Sequence, residues 1–208
     1  NCATKIPEVV LEVLGDSVEF DGSYITTDYS FRELTDPYLK VHPWGDVGID
    51  VGLGLPADKT ATPYEYMFLP AYVESGFAHA SILHNGAKES LVRETNSIYE
   101  SIPEERPFPI FHPLIVFFLF LLLTLIISYR DLKRNRLSIR FDAVIFGVVG
   151  FVGVSLTLLW VATSHHASAR NMNLLWALPT HLLAAIAFAR QPKWLEKYFL
   201  IAALLTVL

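Results

Sequence analysis

Apolar residues recur at helical spacing in the first half of this chain and run almost unbroken in the second. From Cys2 to Leu14 the pattern reads as an amphipathic helix closed by Gly15. Asp16, Ser17 and Asp21-Gly22 then mark turns. Ser30 caps a helix predicted over 31–40, with Phe31, Leu34, Tyr38 and Leu39 at helical spacing and Glu33 at the capping-box position. His42-Pro43-Trp44-Gly45 is expected to end it. Thr62-Pro63-x-Glu65 is a second start signal, and the apolar face that follows it, Tyr66 to Phe77, is interrupted at Pro70, so two helical pieces are expected. Asn85-Gly86 makes a turn, 90–99 reads as extended through the alternation in LVRET, and the proline-rich, charged stretch 101–109 reads as a linker. The region is thus mostly helical, with too few predicted strands for a sheet.

Beyond the linker the pattern changes class. PLIVFFLFLLLTLIISY, 113–129, carries no charge and, with 108–112 leading in, reaches spanning length. A second membrane helix is predicted over 141–163, a third over 173–189, and a fourth from 194 to 208 that stops short of a bilayer's width. Gly147, Gly150 and Gly153 in the second are small enough to let another helix pack closely. The chain starts with Asn, lacks a basic-then-apolar leader and stops within an apolar run, so it is read as an internal fragment.

Charge orients these helices. Residues 1–110 hold 18 acidic against 7 basic side chains, whereas 111–208 hold 3 against 9. The acidity of the first part argues against a nucleic-acid partner. The loop RDLKRNRLSIR, with Arg130, Lys133, Arg134, Arg136 and Arg140 against Asp131, belongs in the cytoplasm. The acidic part is then outside, together with His165, His166, Arg170, Asn171 and Asn173. His165 and His166 read either as an interfacial polar loop or as support for a substrate mouth. His181, two residues after Pro179 inside the predicted third helix, reads either as a functional intramembrane group or as a partner for backbone freed by the proline.

Cys2 is the one cysteine, so no internal disulfide can form. It stands where a helix start, with unpaired N–H groups and the positive end of the dipole, favours a thiolate, which makes it a nucleophile candidate. His42, His79 and His84 show no metal-ligand spacing, and Cys2 has no cysteine partner, so neither a metal nor a cofactor is expected. The glycine-rich GIDVGLGLPADKT lacks the order of a nucleotide loop. Asp46 and Asp50, four apart on a possible helix, are not singled out as a catalytic pair.

Asn1-Cys2-Ala3-Thr4-Lys5-Ile6, followed by PYLKVHPWGDVGIDVGLGLPAD, TPYEYMFLPAYV and a multi-pass membrane region, resembles the lipoprotein N-acyltransferase family known as Lnb. Its members carry an extracytoplasmic thiol-enzyme domain, similar to permuted NlpC-type and lecithin:retinol-acyltransferase-like folds, ahead of several membrane helices. The resemblance implies an α+β thiol-enzyme domain, mostly its helical part here, over 1–100, then a linker over 101–112. An all-α transmembrane helix bundle follows over 113–208. It implies a location in the bacterial inner membrane with the soluble part in the periplasm. Cys2 matches the nucleophile, Asn1 its motif partner, and the catalytic histidine is expected before residue 1. Pro7 stands where a helix former is expected and predicts a kink or a restart.

The implied activity moves an acyl chain from a membrane phospholipid to the N-terminal amine of a lipoprotein through a thioester. An anchored NlpC-like peptidase or amidase of the cell wall uses the same thiol with water as acceptor. A membrane-anchored binding domain with a buried, non-catalytic Cys2 is the third possibility. The multi-pass region is more than a hydrolase needs for tethering, which favours the transferase.

Overall fold

The computed structural model describes residues 2–100 and 110–207. The chain divides into two compact units that interleave in sequence: Asn1–Pro37 with Asp58–Arg106, and Tyr38–Ala57 with Pro107–Leu208. Residues 38–57 therefore belong to the unit of the long apolar helices and not to that of their neighbours along the chain.

In the first unit, α1 (Lys5–Leu14) ends at Gly15, whose φ of 55° is of the left-handed kind that glycine adopts freely. Pro7 is the third residue of this helix, which starts after a turn at 2–4. It lies in the first turn, where its missing N–H has no intrahelical acceptor to satisfy, and it is fully buried. A short strand, β1 (Val18–Glu19), leads to α2 (Phe31–Leu39), whose start is the expected box: Ser30 N–H and Oγ both donate to Glu33 Oε2 at 2.8 Å.

After α3 (Pro43–Gly52), which belongs to the second unit, come α4 (Pro63–Tyr66) and α5 (Pro70–His79), the two pieces separated at Pro70. Thr62 caps α4, with Glu65 N–H donating to its Oγ1 and Glu65 Oε2 accepting from Thr62 N–H at 2.8 Å. Tyr66 organises the interior. It is buried, its hydroxyl donates to Thr27 O and accepts from Tyr29 N–H at 2.6 Å, and its ring meets Tyr72 edge-on at 5.0 Å. Leu34 and Ala61 complete that cluster, while Ala3, Met67 and Val73 form a second one with Phe20, Tyr24 and Phe77.

Contrary to expectation, a small sheet is present. β2 (Ser81–His84) and β3 (Ala87–Ser90) form an antiparallel hairpin, and β1 pairs with β2 to give the order β1-β2-β3. Asn85 and Gly86, both at positive φ, make the two-residue loop. Such a loop requires strands that flank it immediately. The extended segment therefore lies at 87–90, and 91–100 is irregular.

In the second unit, α6 (Pro113–Arg134) and α7 (Ile139–Val161) are long and apolar enough to cross a membrane. Only 6% of the most apolar stretch of α6 and 17% of that of α7 is buried inside the protein, so a hydrocarbon surround accounts for their composition. Asp131 joins them by accepting the Ser138 N–H at 2.5 Å and hydroxyl at 2.8 Å.

The predicted third helix is broken. A 3-10 turn at Met172–Leu175 precedes α8 (His181–Ala187), because Pro179 withholds an N–H and the chain unwinds before it. At seven residues α8 is about 10 Å long, too short to span. The glycines of α7 accept this broken segment. A Cβ on Gly150 would lie 2.4 Å from Leu182 N, and one on Gly153 2.0 Å from Ala177 O. In α9 (Trp194–Val207), Leu195, Tyr198 and Phe199 close an aromatic cluster with Phe146 and Phe188.

His42-Pro43 reads as a stop, yet the possible helix carrying Asp46 and Asp50 is present as α3. Pro43 instead occupies the first helical position, where proline starts helices. Near its start, Trp44 Nε1 donates to Phe111 O at 2.6 Å and its ring stands edge-on to Phe117 of α6 at 5.7 Å. Beyond its end, Gly54 N–H donates to Ala167 O at 2.8 Å. Asn171 Nδ2 and Asn173 Nδ2 donate to Val51 O at 2.7 and 3.1 Å. Gly54 has no room for a side chain, since a Cβ would stand 1.9 Å from Ala169 O.

Candidate functional site

Cys2 occupies the turn before α1 and not the helix itself, which begins three residues later; its carbonyl accepts the Lys5 N–H at 3.3 Å. The thiol is free and exposed. The turn is anchored from below, since Ala3 packs with Met67 and Val73 and Pro7 is buried. A small exposed thiol on a buried footing has an open approach, the arrangement that a nucleophile would require.

Charge close by in sequence is already engaged. Lys5 pairs with Glu8, and that hydrogen bond holds its ammonium above the ordinary range. Tyr64 is raised first by burial and then by the Glu8 carboxylate. Asn1 lies outside the described residues. Among the described residues no hydrogen bond reaches the Cys2 thiol. His79 uses Nδ1 on Ser75 O at 2.8 Å, and His84 is exposed at the end of β2. Among the described residues no group of three or more His, Cys, Asp or Glu side chains is placed to hold a metal ion.

His165 and His166 belong to the second unit and Cys2 to the first. Both histidines are exposed. His165 Nδ1 contacts Thr163 Oγ1 at 2.9 Å, and His166 opens a 3-10 turn, His166–Ser168. In the same connection Asn171 is buried and holds the end of α3.

His181 is 3% exposed at the first position of α8. Its Nε2 faces Trp176 O at 3.2 Å, and its Nδ1 faces the Tyr198 hydroxyl at 2.7 Å, which in turn meets Thr180 Oγ1 at 2.9 Å. A carbonyl accepts only, so Nε2 carries the proton toward Trp176 and Nδ1 accepts from Tyr198. Trp176 O lies in the stretch unwound before Pro179. The His181 ring thus serves as a partner for a carbonyl in that unwound stretch. Tyr198 was not anticipated, because a tyrosine near the start of a membrane helix usually reads as an interfacial anchor. Beside His181 lies a mostly apolar cavity of about 720 Å³, bordered by Phe146, Val149, Trp176, Phe199 and Ala203.

No curated protein and no solved structure matches the chain. A family model described as the Lnb transmembrane domain matches residues 104–208. That stretch contains both long apolar helices, the glycine seam of α7 and the His181–Tyr198 contact. The chain belongs to the Lnb family, and residues 104–208 are its transmembrane domain.

Proposed function

We propose that this protein is a membrane-bound, thiol-dependent acyltransferase that moves an acyl chain from a phospholipid to the N-terminal amine of a lipoprotein. The match to the Lnb transmembrane domain carries this reading. The free, exposed Cys2 on its anchored turn supports it.

In the first half-reaction the Cys2 thiolate attacks an ester carbonyl of the phospholipid, and its backbone N–H is a donor available to the oxyanion. Collapse expels the glycerol oxygen, which takes up a proton, and leaves a thioester and a lysophospholipid. In the second, the α-amine of the diacylglyceryl-cysteine attacks the thioester; an amide forms, the C–S bond breaks, and the thiol is regenerated. The resemblance assigns the proton acceptor to a histidine ahead of the Asn-Cys pair. Both substrates are embedded in lipid, so fusion to membrane helices keeps the nucleophile near them. The apolar cavity beside His181 has the size and polarity of ligand pockets and offers room for a hydrocarbon chain. The basic connection after α6 supports a cytoplasmic 130–140 loop and, with it, a periplasmic Cys2 at a bacterial inner membrane.

The test is full-length protein with Cys2→Ser in cells lacking any other N-acyltransferase, read by mass spectrometry of lipoprotein N-termini. Loss of the N-acylated form is expected. Persistence of triacylated lipoproteins at the normal level overturns the proposal, and Cys2-dependent cleavage of cell-wall peptides by the purified protein transfers the thiol to hydrolysis.

A further inference from the structure

We infer that α3 is an interfacial helix whose uncharged, exposed face rests on the lipid leaflet at the Pro113 end of α6. The inference depends on α6 and α7 crossing a membrane and is independent of the acyl-transfer reading.

Three observations within the second unit carry it. The first is where α3 is fastened. Trp44 holds its start to Phe111 and Phe117 at the beginning of α6. Asn171, Asn173 and the Gly54–Ala167 hydrogen bond hold its end to the connection that follows α7. A ten-residue helix is about 15 Å long, whereas α6 and α7 are each more than 30 Å. One short helix can reach both attachments only if the start of α6 and the end of α7 lie on the same side of the membrane. An element fixed at both ends to that boundary runs along it.

The second observation is which face is left open. At 3.6 residues per turn, Trp44, Gly48, Gly52, Gly45 and Ile49 fall within an arc of about 140°. Trp44 and Ile49 are 47% and 41% exposed, and nothing lies within 4 Å of where Cβ atoms on Gly48 and Gly52 would be. Asp46 and Asp50, one turn apart, both lie outside this arc. The charge of the helix is therefore sorted away from its open face, as in helices that lie in a bilayer surface.

The third is continuity. The indole of Trp44 meets Phe117, which is itself exposed on α6, a helix whose apolar stretch is almost wholly unburied. The open face of α3 thus extends the surface that α6 presents to hydrocarbon. An indole at the junction suits the headgroup level, with its N–H engaged and its ring among acyl chains.

The experiment uses the full-length protein in nanodiscs of phosphatidylethanolamine and phosphatidylglycerol. Cys2→Ser removes the native thiol, and a nitroxide is attached in separate variants at Ile49→Cys, Gly48→Cys and, as an aqueous reference, Glu89→Cys on β3. Power saturation compares collisions with molecular oxygen, which concentrates in lipid, and with a water-soluble nickel chelate. The oxygen-to-nickel ratio at 48 and 49 is expected to exceed that at 89 several-fold. Equal ratios at all three positions place the face in water and overturn the inference. Exclusion of both reagents at 48 and 49 shows a protein cover, a second copy included, and overturns it equally. Gly48 and Ile49 are exposed, so the labels leave the fold intact, and an unchanged melting temperature checks this.

Discussion

Replacing Gly153 with alanine tests whether the seam between α7 and the broken third segment holds the membrane unit together. The added methyl would stand 2.0 Å from Ala177 O, 2.8 Å from Ala177 C and 2.9 Å from Leu178 C. These are backbone atoms, so no rotamer change relieves the overlap. Ordinary contact is about 3.5 Å, so the seam must open by about 1.5 Å, enough to forfeit more than half of each dispersion contact along it. Overpacking a tight site costs about 1–3 kcal/mol, and an unyielding backbone neighbour puts this one near the top of that range. At about 3 kcal/mol the expected fall in melting temperature is roughly 6–12 °C for a chain of this size. Gly147 supplies the internal control. A Cβ there finds only Ala185 Cβ at 3.8 Å, so Gly147→Ala should be neutral or gain up to about 1 kcal/mol from helix propensity. Both variants, purified in the same detergent, are compared by thermal unfolding followed by far-ultraviolet circular dichroism. Equal melting temperatures for Gly153→Ala and the parent, or equal losses for the two variants, would refute the close-packed seam.

Tyr198→Phe removes the hydroxyl donated to His181 Nδ1 and leaves a buried nitrogen unpaired. It should cost about 1–3 kcal/mol in the same assay, and an unchanged melting temperature would show that water replaces the hydroxyl. Asn171→Ala removes the shorter of the two amide hydrogen bonds to Val51 O at the end of α3. Limited proteolysis of the full chain should then cut within 38–57 faster than in the parent, and equal rates would show that Asn173 and Gly54 suffice. Glu65 is held below its ordinary value of 4.5, chiefly by the Thr62 backbone N–H and against an opposing contribution from burial. A lowered carboxyl stabilises the fold above its unfolded value, and the contribution is lost as pH falls below 4.5 through the folded one. Glu65→Gln should therefore flatten the acid limb of a stability-against-pH curve below pH 4.5, and an unchanged limb would exclude the box as its source.

How legible the fold was depended on whether the signal was local. The Ser30 and Thr62 boxes, the stop at Gly15, the split at Pro70 and the two long apolar helices each rest on residues within one or two turns, and each appears where the pattern puts it. The sheet was missed because β1 pairs with a strand more than sixty residues away and has only two residues of its own. The helix α3 was legible only as a possible helix under Asp46 and Asp50, because its stability comes from Trp44 against Phe117 and from Asn171 on Val51 O, contacts invisible to any local window. The broken third segment was half legible: Pro179 and His181 were both noticed, but hydropathy alone favoured a continuous helix. Of the candidate site, Cys2 was legible by composition, as the one cysteine. The footing beneath it, Ala3 and Pro7 on Met67 and Val73, depends on packing between distant segments and left no periodic trace.

The interleaving of the two units has a consequence for how the protein is made. Val51 leaves the ribosome long before Asn171, its partner 120 residues downstream. At 5–20 residues per second that interval is on the order of ten seconds. For that time the end of α3 has no dock: Trp44 already has Phe111 and Phe117 to hold, but Val51 and the narrow Gly54 seat wait for a connection not yet synthesised. The first unit meanwhile has to close around a gap, since Pro37 and Asp58 belong together while the twenty residues between them are spoken for elsewhere. Maturation is then a return stitch: the chain goes forward into the bilayer, and an earlier loop is picked up and sewn to it afterward.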